Sequence, residues 1–180
     1  MLKNIGYLEL IIGPMFSGKT SKLLEIYKQC KLCNINVLVV NYSGDTRYPE
    51  LSTHDKRTIP CIKAISIQDI LDNHDIENVD TILINEGQFF EDIELVRNLV
   101  DDNKRVYVCG LDGDFERKKI GKLLDLIPYC DEVYKLKSLC SDCKNSAIFS
   151  YRITEETDQI VIGSDNYVPL RRQCYEKKLN

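Results

Sequence analysis

The chain has 180 residues, 43% of them hydrophobic and 29% charged, with a formal net charge of −4. That balance suits one globular domain, or one domain with a small appendage, and excludes bulk disorder. No apolar run approaches the ~18–20 residues of a membrane helix, and no basic excess is available for nucleic acid or an anionic membrane.

Tyr7 to Ile12 is a short apolar run ending at Gly13 and reads as a buried strand. Ser17 to Cys33 carries apolar residues at Leu23, Leu24, Ile26 and Tyr27, the period of a helix. Val37 to Val40 is a second buried strand. Residues 42–58 are polar, with Gly44 and Pro49, and read as one long loop. Ile65 to His74 reads as a helix capped by Ser66. Thr81 to Ile84 is a third strand, Ile93 to Val100 an amphipathic helix, and Arg105 to Cys109 a fourth strand closed by Gly110. Lys119 to Ile127 is expected as a helix stopping before Pro128, and Glu132 to Leu136 as a fifth strand.

Alternating strands and helices predict an α/β fold, a parallel sheet covered by helices on both faces. The texture changes near Ser138. Beyond it come Cys140-x-x-Cys143, two β-rich stretches (Ala147 to Ile153 and Gln159 to Ile162) and a basic tail without a helix of useful length. The expected boundary divides residues 1–137, the nucleotide-binding part, from 138–180, a small β-rich lobe.

Residues 1–6 lack a cationic stretch followed by an apolar core, so no export signal is expected and the chain reads as cytoplasmic. Its eight cysteines then read as thiols, buried or metal-bound, and not as a disulfide framework.

Gly13-Pro14-Met15-Phe16-Ser17-Gly18-Lys19-Thr20 matches G-x-x-x-x-G-K-[ST], with a strand before it and a helix after it. The glycines let the backbone wrap a phosphate, and the helix N-terminus adds partial positive charge. Lys19 reaches the β- and γ-phosphates, and the Thr20 hydroxyl is a Mg²⁺ ligand. Such proteins place an acid at the end of a neighbouring strand. Here Asn85 stands at that place and Glu86 follows, so Glu86 is either a metal carboxylate or a general base. Cys140, Cys143 and Cys174 give three soft ligands where a structural Zn²⁺ takes four. Both a zinc site completed by a fourth ligand and a metal-free lobe stay open.

Together these motifs resemble the cytosolic, zinc-containing thymidine kinases (the type II thymidine kinase family) over nearly the whole chain. The resemblance rests on the phosphate loop with its Pro-Met-Phe, on Asp45-Thr46-Arg47-Tyr48 and Thr53-His54-Asp55, and on Glu86-Gly87-Gln88-Phe89-Phe90. Leu111-Asp112-Gly113 with Phe115 and Arg117-Lys118, the Cys140/Cys143 pair, and Gly163 to Tyr167 extend it. It implies a P-loop sheet with a zinc-ribbon-like lobe, and phosphorylation of thymidine by ATP with Mg²⁺ in nucleotide salvage. Glu86 would take the proton from the 5′-hydroxyl. The phosphate loop, Arg47, Asn85 and Gln88 would serve ATP and its metal. Met15, Phe89, Leu111 and Phe115 would wall the thymine, with Ser150 near its methyl group. Ile160, Val161, Ile162 and Gly163 would offer main-chain hydrogen bonds, and Tyr167 would close over the base. A homotetramer, and dTTP as feedback inhibitor, are implied as well. The chain departs from the family in four places. Asn85 replaces an Asp, and Arg171-Arg172-Gln173-Cys174 stands where the family has C-x-x-C. Lys119-Ile120 replaces Pro-Phe, and Gly163 to Tyr167 is one residue short. Asn85 raises a second reading, a catalytically weak nucleotide-binding protein of the same fold acting as sensor or scaffold.

Overall fold

The computed structural model describes residues 5–45, 50–52, 56–161, 163 and 165–179. In chain order the elements are β1 (Tyr7–Ile12), α1 (Lys19–Leu32), β2 (Val37–Tyr42), β3 (Leu51–Ser52), β4 (Thr58–Ile59), β5 (Ile62–Ala64), α2 (Ile67–Asn73) and β6 (Thr81–Asn85). They continue with α3 (Val96–Asp101), β7 (Arg105–Gly110), β8 (Glu132–Lys135), β9 (Ser138–Leu139), β10 (Ser146–Ala147), β11 (Phe149–Arg152), β12 (Tyr167–Leu170) and α4 (Arg172–Leu179).

Among the described residues, six strands form one parallel sheet in the order β5-β2-β6-β7-β1-β8. Alternation along the strands sorts their side chains between two cores. Leu8, Leu10 and Ile12 join Ile82, Ile84, Val106 and Val108 on the face covered by α2 and α3. Ile11, Leu83, Tyr107 and Cys109 face α1, which buries Leu23, Leu24 and Ile26 against them. Both faces are therefore apolar, as a sheet with crossover helices requires. Among the described residues, no helix is long and apolar enough to cross a membrane.

The expected helices after β1, β2 and β6 are present, and Ser66 Oγ accepts from the Asp69 amide at 3.0 Å as the cap of α2. Four expectations are corrected. The long loop of residues 42–58 contains β3 and pairs it with β4, and the unforeseen β5 forms the edge of the sheet beside β2. That edge strand is three residues long, too short for a periodicity to show. The segment before Pro128 is no α-helix: a 3₁₀ helix spans Leu123–Tyr129 and contains the proline, so the chain passes through it. Gln159 to Val161 forms no strand, and the partner of β11 is β12. The basic tail is α4, held by Tyr175, which packs on Phe149 and Tyr151. Its charge masked a helix anchored by one buried aromatic residue. Cys140, Ala147, Leu170 and Tyr175 form a small core of their own.

Candidate active site

Parallel strands present their carboxyl ends on one side of the sheet, and open α/β sheets bind ligands there. The phosphate loop follows β1, Asp45 follows β2, Glu86 follows β6, and Leu111 follows β7. Parallel pairing of β6 with β2 and β7, and of β7 with β1, therefore brings residues far apart in sequence to one rim.

The loop needs its glycines. Gly13 has φ +151°, and a Cβ there would lie 2.7 Å from the Leu136 carbonyl oxygen. Gly18, at φ 84°, opens α1 with no side chain capping the first turn, the arrangement that suits an anion. Lys19 Nζ donates to the Pro14 carbonyl at 2.7 Å. Burial lowers the pKa of Lys19 from the ordinary lysine value, while the negative charges of Glu86 and Asp112 act in the opposite sense. The small lobe grips the loop twice: the Met15 amide donates to Ser150 Oγ at 2.9 Å, and Ser138 Oγ donates to the Phe16 carbonyl at 3.0 Å.

Thr20 and Asn85 meet at the rim, with Thr20 Oγ1 3.5 Å from Asn85 Oδ1. A hydroxyl and an amide oxygen are hard donors that suit Mg²⁺, which takes its other ligands from water and phosphate. Asn85 is only 3% exposed. Its Nδ2 donates to Asn41 Oδ1 at 2.9 Å, and Asn41 Nδ2 donates to Asp45 Oδ2 at 3.3 Å. Cys109 Sγ donates to Asn85 Oδ1 at 2.9 Å. Burial, then the Glu86 charge, push the Cys109 thiol up to about 12, so it stays protonated and remains a donor. A directional chain thus runs from Thr20 through two amides to the Asp45 carboxylate.

Glu86 has φ 58° and ψ 40°, a left-handed conformation that costs a non-glycine residue about 1–3 kcal/mol and clusters at functional sites. The kink turns the chain from β6 into a 3₁₀ turn, Gly87–Phe89. Gln88, 2% exposed, donates from Nε2 to Glu86 Oε2 at 2.7 Å and accepts the Leu111 amide on Oε1 at 3.0 Å. Both ends of the Gln88 amide are thus engaged at the carboxylate and at the end of β7, where they fix the orientation of Glu86.

A pocket of about 610 Å³, part of it open to solvent, lies in front of this rim. Met15, Glu86, Phe89, Leu111, Phe115, Ser150, Ile160, Val161, Gly163 and Tyr167 all line it. Arg47 and Ile162 lie outside the described residues. Asp45, Gly113, Asp114, Ile120 and Gln159 line the pocket too and carried no role in the sequence reading. Asp45, Gly113 and Ile120 stand in segments that the motifs already marked. Gln159 had no sequence signal. Ile120 places an apolar, 4% exposed side chain there.

In the small lobe the Sγ atoms of Cys140, Cys143 and Cys174 lie within 4.8 Å of one another. Three convergent thiols fit three corners of a tetrahedral zinc site. Among the described residues no other His, Cys, Asp or Glu belongs to the group.

Comparison with known proteins follows the same outline. The thymidine kinase family matches residues 6–175. The cytosolic thymidine kinase of Bos taurus is 38% identical over 179 residues, 98% of this chain and 74% of that protein. The thymidine kinase of Vaccinia virus (strain Western Reserve) is 39% identical over 175 residues, 96% of this chain and 98% of its own length. That of Yaba monkey tumor virus (strain VR587) is 42% identical over 180 residues, with 98% of each chain covered. Among solved structures, domain III of the Thermotoga maritima replication initiation protein DnaA overlaps 73% of this chain and 55% of that one, at 18% identity and a TM-score of 0.43. Since the family match runs through both the sheet and the small lobe, and these relatives align along nearly the whole chain, this protein belongs to the thymidine kinase family.

Proposed function

We propose that the protein transfers the γ-phosphoryl group of ATP to the 5′-hydroxyl of thymidine. One observation carries the reading: a single pocket joins Met15 of the phosphate loop, the Glu86 carboxylate and the apolar residues Phe89, Leu111 and Phe115. Phosphoryl transfer needs positioning and charge neutralisation more than covalent help from the protein. In this reading the phosphate loop and Lys19 hold the polyphosphate, and thymine lies against Met15, Phe89, Leu111 and Phe115. Glu86 accepts the 5′-hydroxyl proton as the O5′–Pγ bond forms and the Pγ–O bond to the leaving ADP breaks. Gln88 is assigned to hold that carboxylate in place. Thr20 and Asn85 would hold Mg²⁺, which would neutralise the charge that develops on the phosphoryl group.

Burial disfavours the charged form of Lys19, so a bound polyphosphate would stabilise its ammonium. Cys140, Cys143 and Cys174 would hold a structural zinc. The name of the bovine relative, a cytosolic thymidine kinase, supports a cytoplasmic place of action; thymidine salvage, a homotetramer and feedback by dTTP belong to the proposal through the family resemblance. The alternative, a weakly catalytic binding protein, draws on the neutral Asn85. A phosphorylation assay with ATP and thymidine, deoxyuridine or deoxycytidine separates the two. Thymidine 5′-phosphate formed at many turnovers per chain supports the enzyme. Nucleotide binding without turnover supports the alternative.

A further inference from the structure

After β11 the chain brings Gln159, Ile160 and Val161 to the pocket, and every residue from Ile153 to Ile160 is exposed. Hydrophobic burial therefore does not hold this stretch. Most of the polar contacts that hold it converge on one side chain, while Tyr167 Oη donates to the Val161 carbonyl at 3.2 Å and the Ile153 amide to the Asn166 carbonyl at 3.0 Å. Arg152, at the last position of β11 and paired in register with Tyr167, is only 5% exposed. Its Nη1 donates to the carbonyls of Glu156, at 2.8 Å, and of Asp158. Its Nη2 donates to the Gln159 carbonyl at 3.2 Å and to the Tyr167 hydroxyl at 2.6 Å. The guanidinium lies over the Phe115 ring, 3.8 Å from its centroid. A second anchor sits beside it, with Gln159 Nε2 donating to Asp114 Oδ2 at 2.8 Å. Asp114 is itself fixed, because its Oδ1 accepts the amides of Glu116 and Lys118.

We propose that Arg152 is a positioning residue that holds the 153–161 stretch over the pocket before a nucleoside enters, with the Gln159–Asp114 bond as second anchor. Hydrogen bonds from a charged group are about twice as strong as neutral ones, and a planar guanidinium can serve several carbonyls at once, which an ammonium cannot. Among the described residues, the buried Arg152 Nε has no hydrogen-bond partner, so the arrangement costs free energy that the four contacts offset. Phe115 and Tyr167, both in the pocket lining, are the two rings this guanidinium touches. Arg152 itself lies outside that lining, so it acts through them and through the stretch it gathers. An ordered cover lowers the entropy lost when the ligand binds. The phosphate loop makes none of these contacts. Loss of Arg152 should therefore weaken nucleoside capture and spare ATP.

The kinetic part rests on the proposed thymidine kinase activity; the ordering of the stretch does not. Amide hydrogen exchange is measured on the unliganded full-length protein and on Arg152→Gln, Arg152→Lys and Gln159→Ala, and KM and kcat for thymidine and ATP are measured alongside. Arg152→Gln is expected to lose protection over residues 153–161 and to raise the thymidine KM about tenfold or more, with the ATP KM within about twofold. Arg152→Lys should recover part of both effects, and Gln159→Ala should show a smaller change of the same sign. Unchanged protection in Arg152→Gln overturns the proposal, and so does equal loss with thymidine and ATP. If Arg152→Gln fails to fold, Gln159→Ala decides: loss of protection with a higher thymidine KM supports the proposal, and wild-type behaviour overturns it. A wild-type protein that does not phosphorylate thymidine, yet shows the exchange contrast, rejects the activity and keeps the latch.

Discussion

Asn85→Asp supplies the acid that phosphate-loop enzymes use at the end of a neighbouring strand, yet its neighbours here are built for an amide. In the wild-type protein Asn85 Nδ2 donates to Asn41 Oδ1 at 2.9 Å. A carboxylate sets two acceptors face to face at that distance. Rotating the Asn41 amide by half a turn restores the donor but turns its oxygen toward Asp45 Oδ2, now 3.3 Å from the nitrogen. Either way one buried acceptor is opposed, at a cost of about 1–3 kcal/mol. For a chain of this length that lowers Tm by roughly 2–12 °C. A divalent cation beside Thr20 reverses the balance, because attraction to a carboxylate exceeds attraction to an amide dipole. The variant should therefore be less stable than wild type without Mg²⁺ and recover most of the deficit with Mg²⁺ and ATP. Its Mg²⁺ half-saturation for turnover should fall about three- to tenfold, or about 0.7–1.4 kcal/mol. Differential scanning fluorimetry with and without Mg²⁺, beside a Mg²⁺ titration of turnover at saturating ATP, reads both effects. An unchanged Tm without Mg²⁺ would refute the directional chain, and an unchanged half-saturation would refute the metal assignment. Adding Asn41→Asp should deepen the loss, since it places a third acid in the chain.

Three further outcomes follow from the same geometry. Lys19→Ala should lower kcat by about 10²–10³-fold with no loss of Tm: burial lowers the lysine pKa, so its charge is no source of folding stability, and a fall in Tm comparable to a core deletion would contradict this. Glu86→Gln keeps an oxygen for Gln88 and should lower kcat by about 10²–10⁴-fold with little change in thymidine KM. If kcat survives while KM rises, Glu86 binds substrate or metal instead. Cys143→Ser should lower zinc content per chain by elemental analysis and destabilise residues 138–180, since ligand bonds contribute folding energy in a small lobe; wild-type protein purified without zinc would remove the metal from the proposal.

The sequence by itself determined the elements whose signal is local. Continuous apolar runs marked β1, β2, β6 and β7, and the eight residues from Gly13 to Thr20 marked the phosphate loop, because wrapping a phosphate constrains consecutive residue types. Glu86 was named from its place at a strand end. Its left-handed backbone and its bond to Gln88 appear only in the folded chain. Short elements escaped for the same reason in each case: β5 has three residues, and α4 is tied down by one buried tyrosine, so neither repeats long enough to show a period. Tertiary structure alone decided which distant residues share the pocket. Parallel pairing of β6 between β2 and β7 carries Asn85 to Asn41 and Asp45, and no spacing in the chain encodes that meeting. Arg152 is the sharpest case. An arginine at the end of an alternating strand reads as a solvated charge, and it is buried because the chain beyond it folds back and offers the guanidinium its carbonyls.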